Sequence, residues 1–273
     1  MSRDIEKLFD LPSTVSEVER YGFSLRDLPE PHSVDEARDW LNQLEMVFGE
    51  GRSHKHAVGG VVSLTNDPTV YTDGVIRPQS DNGHQIPHTD GAFEADPPHV
   101  MSVLCLQPAE EGGETLLVDM KRPAEDMSKE VLQGLYLPDA ITVERGDKKA
   151  THPVYAANGR GGMTARFSNH EYNESYPGSP LAALGFRAVD EYLKDPVKQL
   201  VIPLEAKQLI IIDNDRVTHG RNAFESRAPR HLLRKWYTGQ SDEQEIFLDT
   251  GIKEGLLTEV VADAVDDIRD DNL

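Results

Sequence analysis

A single cysteine among 273 residues, Cys105, excludes an internal disulfide and any cluster of thiolate metal ligands. It lies in the apolar run VMSVLCLQP, where a buried structural thiol is expected rather than a nucleophile. Long hydrophobic runs are missing as well. No stretch approaches the ~20 residues needed to span a bilayer, and the opening MSRDIEKLFD lacks the apolar core of a secretory signal. A cytoplasmic protein is the expectation. Positive charge is scarce: 28 Lys and Arg stand against 48 Asp and Glu, for a formal charge of −20. Such a surface repels phosphate backbones and anionic lipids, so neither nucleic acid nor a membrane is expected as a partner. Much of the acidic excess lies between Asp263 and Asp271, which reads as an exposed helix or frayed tail without chemistry.

No internal repeat, low-complexity stretch or linker divides the chain. Residues 34–50 place Ala37, Leu41, Leu44 and Val47 at helical spacing, predicting an amphipathic helix. Short apolar runs follow at 58–65, 100–107, 114–118, 199–204 and 207–213, separated by Pro, Gly, Asp and Asn, which are strand lengths with turn punctuation. Further helices are expected at 180–194 and near the C-terminus. The pattern predicts a mainly β protein with flanking helices, a sandwich or jelly roll forming one domain over 1–273 with its β core at about 57–238.

The sharpest local feature is Pro87-His88-Thr89-Asp90-Gly91. Side chains two apart on an extended segment share a face, so His88 and Asp90 can converge on one point. Far downstream, in LIIIDNDRVTHGRNAF, a buried apolar strand leads through a polar turn to His219. Two imidazoles and one carboxylate form the 2-His-1-carboxylate set that leaves open metal positions and suits non-haem iron(II). His54-Lys55-His56 is a rival pair of the same spacing; its basic, polar surroundings mark it as surface or substrate-side. Downstream, Arg230, Leu232, Arg234 and Trp236 alternate onto one face of a strand. Guanidiniums pointing into a barrel need anions, and Arg is suited to gripping a carboxylate through two parallel hydrogen bonds. Structural salt bridges to Asp or Glu are the other reading of these arginines.

Several segments taken in order carry a resemblance. HTDGAF, GGETLLVD, THPV at 151–154 and DNDRVTHGRNAF followed by Arg230 and Arg234, eleven and fifteen positions after His219, resemble the motifs of the TauD/TfdA family of dioxygenases. Thr115 stands 27 positions after His88, as in the taurine enzyme, and ARFSNHE at 165–171 resembles, less tightly, a strand of the clavaminate-synthase-like branch. The resemblance spans roughly 84–238. It implies a double-stranded β-helix of cupin type, iron held by His88, Asp90 and His219, and the distal carboxylate of 2-oxoglutarate bound by Arg230 with a hydroxyl hydrogen bond from Thr115. Arg234 would take an acid group of the substrate: a carboxylate, sulfonate or phosphonate, on an amino acid or another small molecule. Related halogenases replace the carboxylate ligand with a small residue; Asp90 is present, which favours oxygenation. Relatives often form oligomers, so a homo-oligomer is expected from the resemblance alone.

The expected reaction consumes 2-oxoglutarate and O2, releases succinate and CO2, and hydroxylates a C–H of a small anionic substrate. Desaturation, cyclisation or C–X cleavage by the same iron chemistry is the alternative, and a non-catalytic metal-binding cupin is the alternative of another class. Segments 66–86 and 156–176 are polar, Gly-containing candidates for a lid. Asn82, His84, Gln85, Arg166 and Asn169 are candidate substrate contacts, with His84 and Arg166 foremost.

Overall fold

In the computed structural model the described residues are 7–8, 10–52, 56–66, 82–158, 162–225, 229–239 and 248–253. Two antiparallel sheets face each other. The larger has six strands in the order Phe23–Asp27, Gln208–Asp213, Val100–Gln107, His231–Tyr237, Val61–Thr65 and Ala57–Val58. The smaller has four, Leu200–Ile202, Thr115–Asp119, Val217–Arg221 and Gln85–His88. This is the jelly-roll arrangement that the sequence predicts.

The run Leu209–Ile212 shows why the strands are so apolar. Ile210 and Ile212 point between the sheets, where they meet Met101, Val103, Cys105, Leu117, Val217, Leu232 and Trp236. Leu209 and Ile211 point outward and pack with Val100, Leu104 and Leu233 under a helical layer that includes Val15, Val18, Trp40, Leu41 and Phe48. Both faces are covered, so apolar residues occupy both parities of the strand. The smaller sheet is backed by another cluster that joins Val118, Ile141, Val143, Phe167, Val189 and Leu193.

The helix expected at 180–194 runs Pro180–Lys194, opened by Ser179, whose hydroxyl accepts from the Ala182 N–H, with proline in the first turn. The helix expected at 34–50 is two pieces, Val34–Gln43 and Glu45–Phe48, interrupted at Leu44. The strand expected at 58–65 is a hairpin, because Gly59 and Gly60 both adopt positive φ and turn the chain between Val58 and Val61. The helix Leu11–Tyr21 and the hairpin Ile141–Arg145 with Lys148–His152 go beyond the sequence expectations. The expected C-terminal helix lies outside the described residues, as do His54, Lys55 and most of 66–86. Among the described residues no helix is long and apolar enough to cross a membrane.

Candidate metal centre

The strand Val217–Arg221 lies between two partners and pairs His219 with His88 on one side and with Leu117 on the other. Directly paired residues project to the same face, so the register alone brings the two imidazoles together, with ring centroids 4.9 Å apart. The approach depends on Gly220: a Cβ there would lie 2.4 Å from the Gln85 carbonyl oxygen. Asp90 comes from the turn just beyond the strand Gln85–His88 rather than from extended backbone. Asn214 holds that turn. Its side-chain oxygen accepts from the Asp90 N–H at 2.8 Å, and its amide nitrogen donates to the carbonyls of Asp90 and Pro98 at 3.0 and 2.7 Å.

The result is a buried set in which one ligand atom each from His88, Asp90 and His219 lie within 4.8 Å of one another. His88 Nε2 is 3.9 Å and His219 Nε2 is 3.6 Å from the Asp90 carboxylate. His88 Nδ1 is 2.9 Å from the Ile86 carbonyl, which can only accept, so Nδ1 carries the proton and Nε2 presents its lone pair to the cluster. Burial, only partly opposed by the Asp90 charge, lowers the pKa of both imidazoles, that of His219 to about 3. Burial pushes the Asp90 carboxyl upward. Arg234 first, then the two histidines and the Trp236 N–H, outweigh it and hold the carboxyl well below its ordinary range. Both carboxylate oxygens accept from Arg234 Nη1, at 3.2 and 3.0 Å, and Oδ2 also accepts from Trp236 Nε1 at 2.6 Å. Two neutral imidazoles, that of His88 with its Nε2 lone pair free, beside an ionised, hydrogen-bonded carboxylate are a donor set that fits iron(II).

One end of this pocket is cationic. Arg230, just before the strand His231–Tyr237, donates from Nη2 to the Gly113 carbonyl at 3.4 Å, and no carboxylate among the described residues pairs with it. Arg221 lies beside it; the two guanidiniums sit 4.8 Å (Arg221) and 5.2 Å (Arg230) from the centroid of the Phe224 ring. Burial, then the neighbouring Arg221 charge, lowers the Arg230 pKa to about 10. Thr115 pairs directly with Arg221 across the strands, two residues along from His219 and on its face.

The other expected contacts are placed differently. Arg166 braces the turn after Asp90: its Nη2 donates to the carbonyls of Ala92, at 2.8 Å, and Glu94. Asn169 donates to Asp190 at 2.7 Å. His84 is exposed and has no described contact with the cluster, and Asn82 is likewise exposed. Sequence reasoning missed Asn214, the indole of Trp236 and the backbone oxygen of Ile86. It also missed His170, whose ring packs edge-on against His88 with centroids 4.4 Å apart. Asn214 and His170 lie inside segments already singled out, DNDR and ARFSNHE, but nothing in their spacing signals a contact.

A family model for the taurine catabolism dioxygenase TauD, TfdA family, matches residues 11–236. The chain belongs to the TauD/TfdA family. Its membership makes it an iron(II)- and 2-oxoglutarate-dependent dioxygenase. A curated relative, a uridine-5'-phosphate dioxygenase of Amycolatopsis sp, is 28% identical over 254 residues, 84% of this chain and 89% of the relative. Among solved structures, asparagine oxygenase in complex with Fe(II), 2S,3S-3-hydroxyasparagine and succinate superposes with a TM-score of 0.64 at 17% identity, covering 84% of this chain and 77% of that one. The non-heme iron oxygenase OrfP in complex with Fe, succinate and (3S)-hydroxy-L-Arg does so with a TM-score of 0.66 at 13% identity, covering 89% and 88%. These two show that this TauD/TfdA member shares their fold.

Proposed function

We propose that this dioxygenase hydroxylates an unactivated C–H of a small anionic substrate, with iron held by His88, Asp90 and His219 and the distal carboxylate of 2-oxoglutarate by Arg230. The observation that carries the reading is the desolvated Arg230 guanidinium, without a carboxylate partner among the described residues, at one end of a buried His-Asp-His cluster. A buried unpaired charge costs several kcal/mol, so the site calls for an anion from solution. Thr115 offers a hydroxyl beside the same end. Bound iron, with 2-oxoglutarate and O2, supplies the oxidant, releasing succinate and CO2. The chain's part is to orient the carboxylate ligand through Trp236 and Arg234, hold the His88 imidazole in its binding tautomer, and keep water out. Arg234 serves the substrate as well: Nη1 is committed to Asp90, while its buried Nε–H has no acceptor among the described residues. The activity on uridine-5'-phosphate that a relative's name gives makes nucleoside monophosphates the first substrates to try.

The test is an anaerobic titration of metal-free protein with iron(II) and 2-oxoglutarate, following the weak visible charge-transfer band of the chelate. The band should form, and should vanish in His219→Ala. In Arg230→Ala it should need far more 2-oxoglutarate, because a charge-assisted pair is worth about 2 kcal/mol or roughly 30-fold in affinity. Iron binding without a band would instead favour the ligand-binding cupin.

A further inference from the structure

Leu248 is buried in the cluster under the helical layer and Ile252 in the cluster behind the smaller sheet, so residues 248–253 bridge the two. Ile252 and Lys253 also pair as a short strand with Met163 and Gly162. Between these anchors the backbone bends at Gly251, where φ is 99° and a Cβ would lie 2.6 Å from the Met163 carbonyl oxygen. Glycine takes that bend without strain.

The bend aims two donors at the turn 213–215. The Gly251 N–H donates to Asp213 Oδ2 at 2.7 Å, and the Thr250 hydroxyl donates to Asp215 Oδ2 at 2.8 Å. Asp213 Oδ1 accepts from the Asp215 N–H at 3.0 Å, and Asp215 Oδ2 is 2.7 Å from His99 Nδ1. All three residues of the turn are buried. A buried carboxyl group that loses a donor pays the cost of its lost hydration, and the backbone that carries it must open toward water. The residue between the two acids is Asn214, whose side chain makes three bonds to the backbone of Asp90 and Pro98. The chain of contacts therefore runs from 250–251 through the two aspartates to Asn214, and from Asn214 to the turn that carries a metal ligand.

We propose that Thr250 and Gly251 are positioning residues for the metal centre: their bonds to Asp215 and Asp213 hold the turn that presents Asn214 to Asp90. This rests on the assignment of Asp90 as a ligand above.

The experiment uses the whole chain and three variants. Thr250→Val removes the hydroxyl at nearly constant volume, Thr250→Ser keeps it, and Ile252→Val trims the packing of the same segment without touching a hydrogen bond. On metal-free protein, exchange of the Asp90 amide hydrogen, which Asn214 protects, is followed by NMR and reports local opening of that turn. Iron(II) affinity is then measured by competition with a chelator. In Thr250→Val the Asp90 amide should exchange several-fold faster, and iron should bind more weakly by roughly fivefold, less than the 10–100-fold of a group that touches the ligand itself. Thr250→Ser should restore both. Ile252→Val should lower the melting temperature and leave both unchanged. Parent-like exchange at Asp90 in Thr250→Val, or equal acceleration in Ile252→Val, overturns the proposal and leaves 248–253 a support of the fold alone. Absence of iron binding in the parent protein is the separate failure of the metal assignment, and the exchange comparison on the metal-free chain still decides the brace.

Discussion

Asp90 shows how much one side chain depends on its neighbours. A carboxylate in a buried site tends to take up a proton, and here Arg234, the two histidines and the Trp236 indole prevent it. The indole bond at 2.6 Å is the shortest of the contacts to Asp90. Trp236→Phe keeps the packing against Leu232 and Met101 but removes the donor. Changing a partner that orients a metal ligand costs about 10–100-fold in metal affinity, so the variant should bind iron(II) more weakly by that order. A competition titration against a chelator checks it, and unchanged affinity would show that Arg234 alone suffices. A bond from Arg234 to an acid was one of the two readings the sequence offered, and the structure places it on Asp90; the indole bond was not legible, since Trp236 read only as part of an alternating strand.

The two histidines were legible because each sits in a local motif, and their pairing is a property of strands. The centre exists because Val217–Arg221 and Gln85–His88 lie in contact at His219, with the register shifting between His219 and Arg221. Gly220 sits at that shift. In Gly220→Ala the new methyl would collide with the Gln85 carbonyl and the Pro87 nitrogen, forcing the strands apart. Overpacking of this kind typically costs about 1–3 kcal/mol. The expected outcome is a folded protein, by circular dichroism, that melts several degrees lower and no longer forms the 2-oxoglutarate band; an unaffected band would mean that the strands tolerate the shift. Among the elements, Val100–Gln107 and Pro180–Lys194 were readable because their apolar spacing matched their length and punctuation. The hairpin ITVER/KKATH was not, since its alternation is diluted by charged residues on the exposed face. Asn214, Ile86 and His170 act through contacts between distant segments, which leave no periodic trace in the chain.

For the molecule as a whole, buried imidazoles set the response to acid. Burial lowers the pKa of His152 to about 4, of His170 to about 2 and of His219 to about 3. In the unfolded chain each would titrate near 6.5. Between about pH 6.5 and 4 the unfolded state therefore binds more protons, and stability falls as pH falls, by up to about 1.4 kcal/mol per pH unit for each histidine. Asp213 and His99 act in the opposite sense, because burial and the adjacent Asp215 carboxylate raise the pKa of Asp213 and the hydrogen bond to Asp215 raises that of His99, but they are two groups against five histidines lowered by burial, His88 and His231 included. The metal-free protein should melt at a distinctly lower temperature at pH 5 than at pH 7. A flat profile would mean that these histidines reach water in the native state.

The clamp between Asn214 and Asp90 joins residues 124 positions apart, and the indole bond to Asp90 spans 146. Contacts of such long range form only after large loops have closed. The metal-binding pocket is therefore a late product of folding, and in a refolding experiment the recovery of iron binding would trail the recovery of β-sheet signal.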